Sequence, residues 1–265
     1  MKTIFITGST DGIGKLAATN LAKAGHQVIL HGRNSEKLKN AVAEIKMASN
    51  NEQVTGFISD FSDFDSVIKM AGEVKEAFDK IDVLINNAGI FKSPVQTNRD
   101  GLDIRFAVNY FAPYVLTEAL LPLLQNADAP RLVNLSSAAQ SPVSLSALRG
   151  ETALSAQEAY AQSKLALTMW SMDLAAKHDF LNVIPVNPGS LLNTNMVREA
   201  YGRHWSSADK GADILRDLAT LDMYAASSGQ YFDNDQGNFS RAHPDAYDSD
   251  KIFTLLAETV QILSH

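Results

Sequence analysis

The sequence predicts an α/β protein built on a doubly wound parallel sheet. Three observations carry this. Short runs that are apolar on both faces recur along the chain, and each leads into a stretch with helical apolar spacing. A glycine-punctuated turn joins the first run to the first helix. No repeat, linker or low-complexity tract interrupts the alternation, so residues 1–265 are read as one domain. Right-handed crossovers then cover both faces with helices, and ligands bind outside the carboxyl ends of the strands.

The elements follow in order. Residues 3–7 form the first strand, and the helix over 13–24 stops at Gly25. Val28, Ile29 and Leu30 make a second strand, followed by a charged helix over 35–48 and a third strand over 54–59. Phe64, Val67, Ile68, Ala71, Val74, Ala77 and Phe78 mark one face of a helix that starts near Asp63. A strand over 81–85, a long helix over 102–124 and a strand over 132–135 come next. A helix over 156–177, a strand over 182–186, a last strand at 229–232 and a helix over 250–263 complete the pattern. Two excursions, 138–157 and 190–228, exceed ordinary connection lengths and are expected to be substrate loops.

Composition narrows the function. The chain has 265 residues, 45% of them hydrophobic, which is enough for a large core. A net charge of −7 argues against a nucleic-acid or anionic-membrane surface. The absence of cysteine removes thiolate nucleophiles, disulfides and Cys-based metal sites. No run approaches the roughly 18 uninterrupted apolar residues of a membrane span, and the N-terminus does not resemble a secretory signal. The expected setting is therefore soluble and cytoplasmic.

Six motifs carry chemistry. Gly8-Ser9-Thr10-Asp11-Gly12-Ile13-Gly14 lies between the first strand and first helix, where a pyrophosphate can rest on free helix amides. An ordinary glycine loop is the alternative, and the position between strand and helix decides against it. Arg33 and Asn34 end the second strand, where an arginine suits a 2′-phosphate and an acid would suit a 2′-hydroxyl. No acid appears at the tip of this strand until Glu36, so NADP(H) is favoured over NAD(H), with Ser9 as an added donor to that phosphate; Asp11, an acid close by, weighs against it, and a solvated surface arginine is the plain alternative. Asn86-Asn87-Ala88-Gly89 follows the fourth strand and alone reads as a turn.

Tyr160 and Lys164 share a helical face, so the ammonium can draw the phenol pKa down towards the working range. In isolation such a pair is a surface feature. Ser136 and Ser137 end the fifth strand, where a hydroxyl can donate to a developing oxyanion, and Asn109 lies in the long helix. Pro188 and Gly189 follow the sixth strand, with Thr194 beyond. The order of these motifs along successive strand ends is what decides.

With those residues in place, the chain resembles the classical short-chain dehydrogenase/reductase family over nearly its whole length, with some likeness to the subgroup of retinol dehydrogenases. The resemblance implies a Rossmann-type fold, a nicotinamide cofactor and alcohol–carbonyl interconversion on a small molecule. Asp60 and Phe61 resemble the pair that flanks the adenine. Asn109, Ser137, Tyr160 and Lys164 match the catalytic tetrad, with Ser137 preferred because the family usually uses the second serine. The resemblance implies that Tyr160 exchanges the proton and Ser137 bonds the substrate oxygen. It also implies that Lys164 tunes Tyr160 and holds the ribose, while Asn109 supports a relay water. Gly8, Thr10, Gly12, Ile13, Gly14, Asn87, Ala88, Gly89, Pro188, Gly189 and Thr194 would join Arg33, Asn34, Asp60 and Phe61 around the cofactor. The 22 residues between Ser137 and Tyr160 exceed the compact family spacing.

Met196, Tyr201, Trp205, Met223 and Tyr224 in the second excursion suit an apolar carbonyl compound, or else cover a small core of their own. Relatives often pair through the helices after strands four and five, so a homo-oligomer stays open. A non-catalytic NADP-sensing or scaffold protein on the same fold is the alternative function, and an epimerase or dehydratase ranks third.

Overall fold

The computed structural model describes residues 1–195, 198 and 206–264. Seven parallel strands, β1 (Thr3–Ile6), β2 (Gln27–Gly32), β3 (Val54–Ile58), β4 (Val83–Asn86), β5 (Arg131–Leu135), β6 (Asn182–Asn187) and β7 (Tyr231–Asp233), are joined by an antiparallel edge strand, β8 (Asn238–Ser240). Their spatial order is β3-β2-β1-β4-β5-β6-β7-β8. Chain direction from β1 runs outward to β3 on one side and from β4 outward on the other. The crevice at the β1–β4 boundary is the ligand position of such a sheet.

The strands are apolar on both faces because each face buries a helical layer. Ile4 and Ile6 point to one core, with Ala17 and Leu21 of α1 (Gly12–Lys23), Leu38 and Ile45 of α2 (Ser35–Ser49) and Leu215 of a helix over Ala208–Thr220. Phe5 and Leu84 point to the other, with Val67 and Val74 of α3 (Phe64–Ala77) and Leu116 and Leu120 of α4 (Ile104–Gln125). Trp170, from the helix Ala156–Lys177, completes that second layer. Side-chain caps fix the helix starts: Asp63 accepts from the Asp65 and Ser66 amides, and Ser155 with Glu158 forms a capping box.

Helix α4 contains a π turn over Ala107–Phe111. Its cause is Pro113, which has no N–H to give the Asn109 carbonyl and whose ring crowds that carbonyl. Ile104–Gln125 is long and apolar enough to cross a membrane by length and composition, but 67% of its apolar window is buried in the fold.

Both excursions contain helices: the first is a single turn too short to show a period, and the second carries Ala212, Leu215, Leu218 and Ala219 on one buried face. The first holds α5 (Leu145–Leu148), which leads to α6 (Ala156–Lys177); the second holds α7 (Ala208–Thr220), packed on α1. The last helix, α8 (Ser249–Leu263), lies against α6. Strand β8 was also unforeseen, because three residues after a turn at Gly237 give no period to read.

Candidate active site

The glycine loop and the Asn86–Gly89 segment are stitched together by hydrogen bonds. Thr7 Oγ1 accepts hydrogen bonds from the Asn87 and Ala88 amides at 3.0 Å each. Asn87 Nδ2 returns bonds to the Thr7 and Gly8 carbonyls at 2.7 and 3.0 Å. Gly8 sits at φ +62°, and a Cβ there would lie 2.7 Å from Ala88 Cα. Only glycine fits so close an approach of two backbones.

A continuous cavity of about 710 Å³ opens at this junction. One end is lined by Gly32, Arg33, Asp60 and Phe61; its floor is Gly8, Thr10, Gly12, Ile13 and Gly14. Asn87, Ala88, Gly89, Pro188, Gly189 and Thr194 line the stretch that leads to Tyr160 and Lys164. At the α1 N-terminus the first-turn amides have no intrahelical acceptor, which suits an anion. Asp11 caps the Gly12 amide and accepts a bond from Asn195.

At the far end, Lys164 Nζ lies 5.7 Å from the centre of the Tyr160 ring and donates a 2.7 Å hydrogen bond to the Leu135 carbonyl. Burial pushes its pKa down to about 8. The ammonium therefore stays charged near neutrality at the base of the tyrosine. Phe91 meets the Tyr160 ring edge-on, with centroids 5.1 Å apart.

Asn109 stands behind this wall. Its Oδ1 accepts from the Ile90 amide at 2.8 Å, and its Nδ2 donates to the Ile90 carbonyl and to Ser163 Oγ, both at 3.0 Å. The π turn that carries Asn109 leaves its own carbonyl without the α-helical partner.

Of the two serines, Ser136 lines the cavity and Ser137 is not among the lining residues. The Ser136 hydroxyl is engaged with Thr168 Oγ1 at 2.6 Å. Ser137, half-buried, accepts the Ala139 amide at 3.1 Å on Oγ, which leaves its own O–H as a donor.

Some expected positions play other parts. Ser9 is fully buried; its Oγ donates to the Ile6 carbonyl at 2.8 Å and accepts the His31 amide at 3.0 Å. That hydroxyl holds the loop and is not available to a phosphate. Asn34 caps α2 through the Lys37 amide at 2.9 Å and does not line the cavity.

The first excursion is anchored on the core. Among the described residues none of 138–157 lines the main cavity, because Ala147 and Leu148 are drawn into the core and Arg149 pairs with Glu258 of α8 at 3.0 Å. Tyr224 packs on Phe232 and Phe239, while Met223 is 74% exposed, so neither lines the cavity. Met196, Tyr201 and Trp205 lie outside the described residues.

Two features escaped the sequence reading. The connection after β4 supplies Ile90, Phe91, Pro94 and Val95 to the cavity wall, and its only signal was a short apolar pair beside a proline. His31 also lines the cavity. It stacks on Phe61 with centroids 4.2 Å apart and rings 20° from parallel, and burial lowers its pKa to about 4.

These residues fit a nicotinamide dinucleotide. The cavity is continuous from an exposed arginine, past a loop in which a Cβ at Gly8 would strike backbone, to a buried lysine beside a tyrosine. The family model for short chain dehydrogenases matches residues 2–204. Human retinol dehydrogenase 13 is 30% identical over 286 aligned residues, covering 99% of this chain and 84% of that protein. Human polyprenol dehydrogenase is 33% identical over 76% of this chain and 63% of its own length. A provisionally assigned short chain dehydrogenase from Escherichia coli CFT073, solved with NADPH, superposes with a TM-score of 0.73 at 28% identity, covering 88% of this chain and 96% of that one. The chain belongs to the short-chain dehydrogenase family and is an oxidoreductase.

Proposed function

We propose that the protein interconverts an alcohol and a carbonyl group on a small, apolar molecule with NADP(H), Tyr160 moving the proton. The observation that carries this reading is the buried Lys164 ammonium held 5.7 Å from the Tyr160 ring in the same cavity as the glycine loop. The names of the retinol and polyprenol dehydrogenase relatives support an apolar alcohol or carbonyl compound.

Gly8, Thr10, Gly12, Ile13 and Gly14 would hold the pyrophosphate, Asp60 and Phe61 the adenosine, and Pro188, Gly189 and Thr194 the nicotinamide side. Arg33 is the cation at the end of β2 and would hold the 2′-phosphate. The NADPH in the E. coli relative supports that choice. When bound, the cofactor gives or takes the hydride.

The chain does the proton chemistry. Tyr160 donates its phenolic proton to a carbonyl oxygen in reduction and, as phenolate, takes one from the hydroxyl in oxidation. Lys164 stabilises the phenolate by charge. Ser137 donates a hydrogen bond to the oxygen where negative charge develops. Asn109 fixes the Ile90 backbone and offers its freed carbonyl to a water on the path to Lys164.

The test is a spectrophotometric screen of retinal, medium-chain aldehydes and aromatic ketones with NADPH and NADH. Turnover of apolar carbonyls with NADPH preferred is the expected result. Cofactor binding without turnover of any of them would overturn it and favour the sensor reading.

A further inference from the structure

We propose that Tyr231 and Gln140 are positioning residues that clamp the Ser137 carbonyl and thereby set the place of the Ser137 hydroxyl. The proposal rests on the reading of Ser137 as the donor to the substrate oxygen.

The β5–β6 ladder ends one residue before Ser137: the last paired residues are Leu135 and Val186, and the Ser136 amide makes the final cross-strand bond at 2.8 Å. Beyond that point the sheet no longer fixes the peptide plane. Two side chains replace it. Tyr231, at the start of β7 and 4% exposed, donates its hydroxyl to the Ser137 carbonyl at 3.0 Å. Gln140 Nε2 donates to the same oxygen at 2.8 Å. Both lone pairs of one carbonyl are thus filled from two separate elements.

The clamp extends further. Gln140 Oε1 accepts the His243 amide at 3.1 Å, which fixes the amide orientation and ties the segment ahead of α8 to the strand end. Burial raises the Tyr231 phenol far above its ordinary range, so it remains a donor at every working pH. On the opposite side of the turn the Ala139 amide meets Ser137 Oγ. The Ser137 carbonyl and hydroxyl oxygen therefore both have fixed partners, and the O–H remains a donor.

A simple strand-end cap would satisfy the same carbonyl without any effect on chemistry. The two roles separate by a double-mutant cycle. Tyr231→Phe and Gln140→Leu are each measured alone and combined with Ser137→Ala, with NADPH and retinal as the assay pair. NADPH affinity and thermal midpoint are followed alongside. The expected result is a loss of about tenfold or more in kcat for each clamp variant, NADPH affinity unchanged, and no additional loss once Ser137 is alanine. Amide hydrogen exchange over 137–140 should also rise in Tyr231→Phe while that over 182–187 stays protected.

Parental kcat in both clamp variants, or an equal fold-loss in the Ser137→Ala background, overturns the proposal. So does unchanged exchange over 137–140, a readout that needs no turnover. A normal kcat in Ser137→Ala alone instead removes the reading of Ser137 as the oxygen donor.

Discussion

The backbone amide of Gly8 donates a 3.1 Å hydrogen bond to Nδ1 of His31, whose other ring nitrogen faces the Ser59 carbonyl at 2.9 Å. Nδ1 must accept and Nε2–H must donate, so the network assigns a neutral imidazole. The ring therefore joins the glycine loop to the end of β3 only while it lacks a second proton.

A pH dependence of stability follows. His31 titrates near 4 in the folded protein against an ordinary 6.5, because burial disfavours its charged form. As pH falls below 6.5 the unfolded chain takes up the proton first. Stability is full above 6.5 and declines towards pH 4, by about 3 kcal/mol for this residue. Urea unfolding of the parent and of His31→Gln between pH 4 and 7 measures it, and the variant should show the flatter profile.

Tyr160→Phe should lower turnover by roughly 10³–10⁴-fold, since both proton transfer and a donor to the oxyanion go. NADPH affinity should stay near the parental value in calorimetry. Lys164→Ala should reduce both. NADPH-dependent reduction should fall as pH rises through about 8, where Lys164 loses its charge and the phenol its partner. Rate profiles from pH 6 to 10 check that limb.

Arg33 is exposed at the end of β2 and lines the cavity. Arg33→Ala should weaken NADPH binding on the order of ten- to a hundredfold and leave NADH nearly unchanged, the value of one or two charge-assisted hydrogen bonds. Paired titrations with the two cofactors decide it.

Leu148 of α5 is fully buried in the core. Leu148→Ala should cost about 2–5 kcal/mol of stability without changing which carbonyls are reduced. Phe91→Ala, beside Tyr160 in the cavity wall, should do the reverse and broaden substrate choice. Unfolding midpoints and kcat/KM across the carbonyl panel separate the two effects.

The sequence alone determined what depends on near neighbours along the chain. The periods of the main strands and helices, the turn that needs glycine at position 8 and the shared face of Tyr160 and Lys164 arise within a few residues, and the structure contains each of them. Tertiary structure decided what depends on distant partners. Ser9 looked like a phosphate donor until strand β2 brought the His31 amide to its hydroxyl. In the 138–157 insertion, burial of Leu148 and the Arg149–Glu258 pair, both made with distant partners, set the path of the chain. The two serines are identical as letters; Thr168 engages one of them, and Tyr231, 94 positions away, holds the backbone of the other. Periodicity reports only which face of an element is apolar. Which side chain keeps a free hydroxyl is settled when separate elements compete for the same hydrogen bonds in the packed fold.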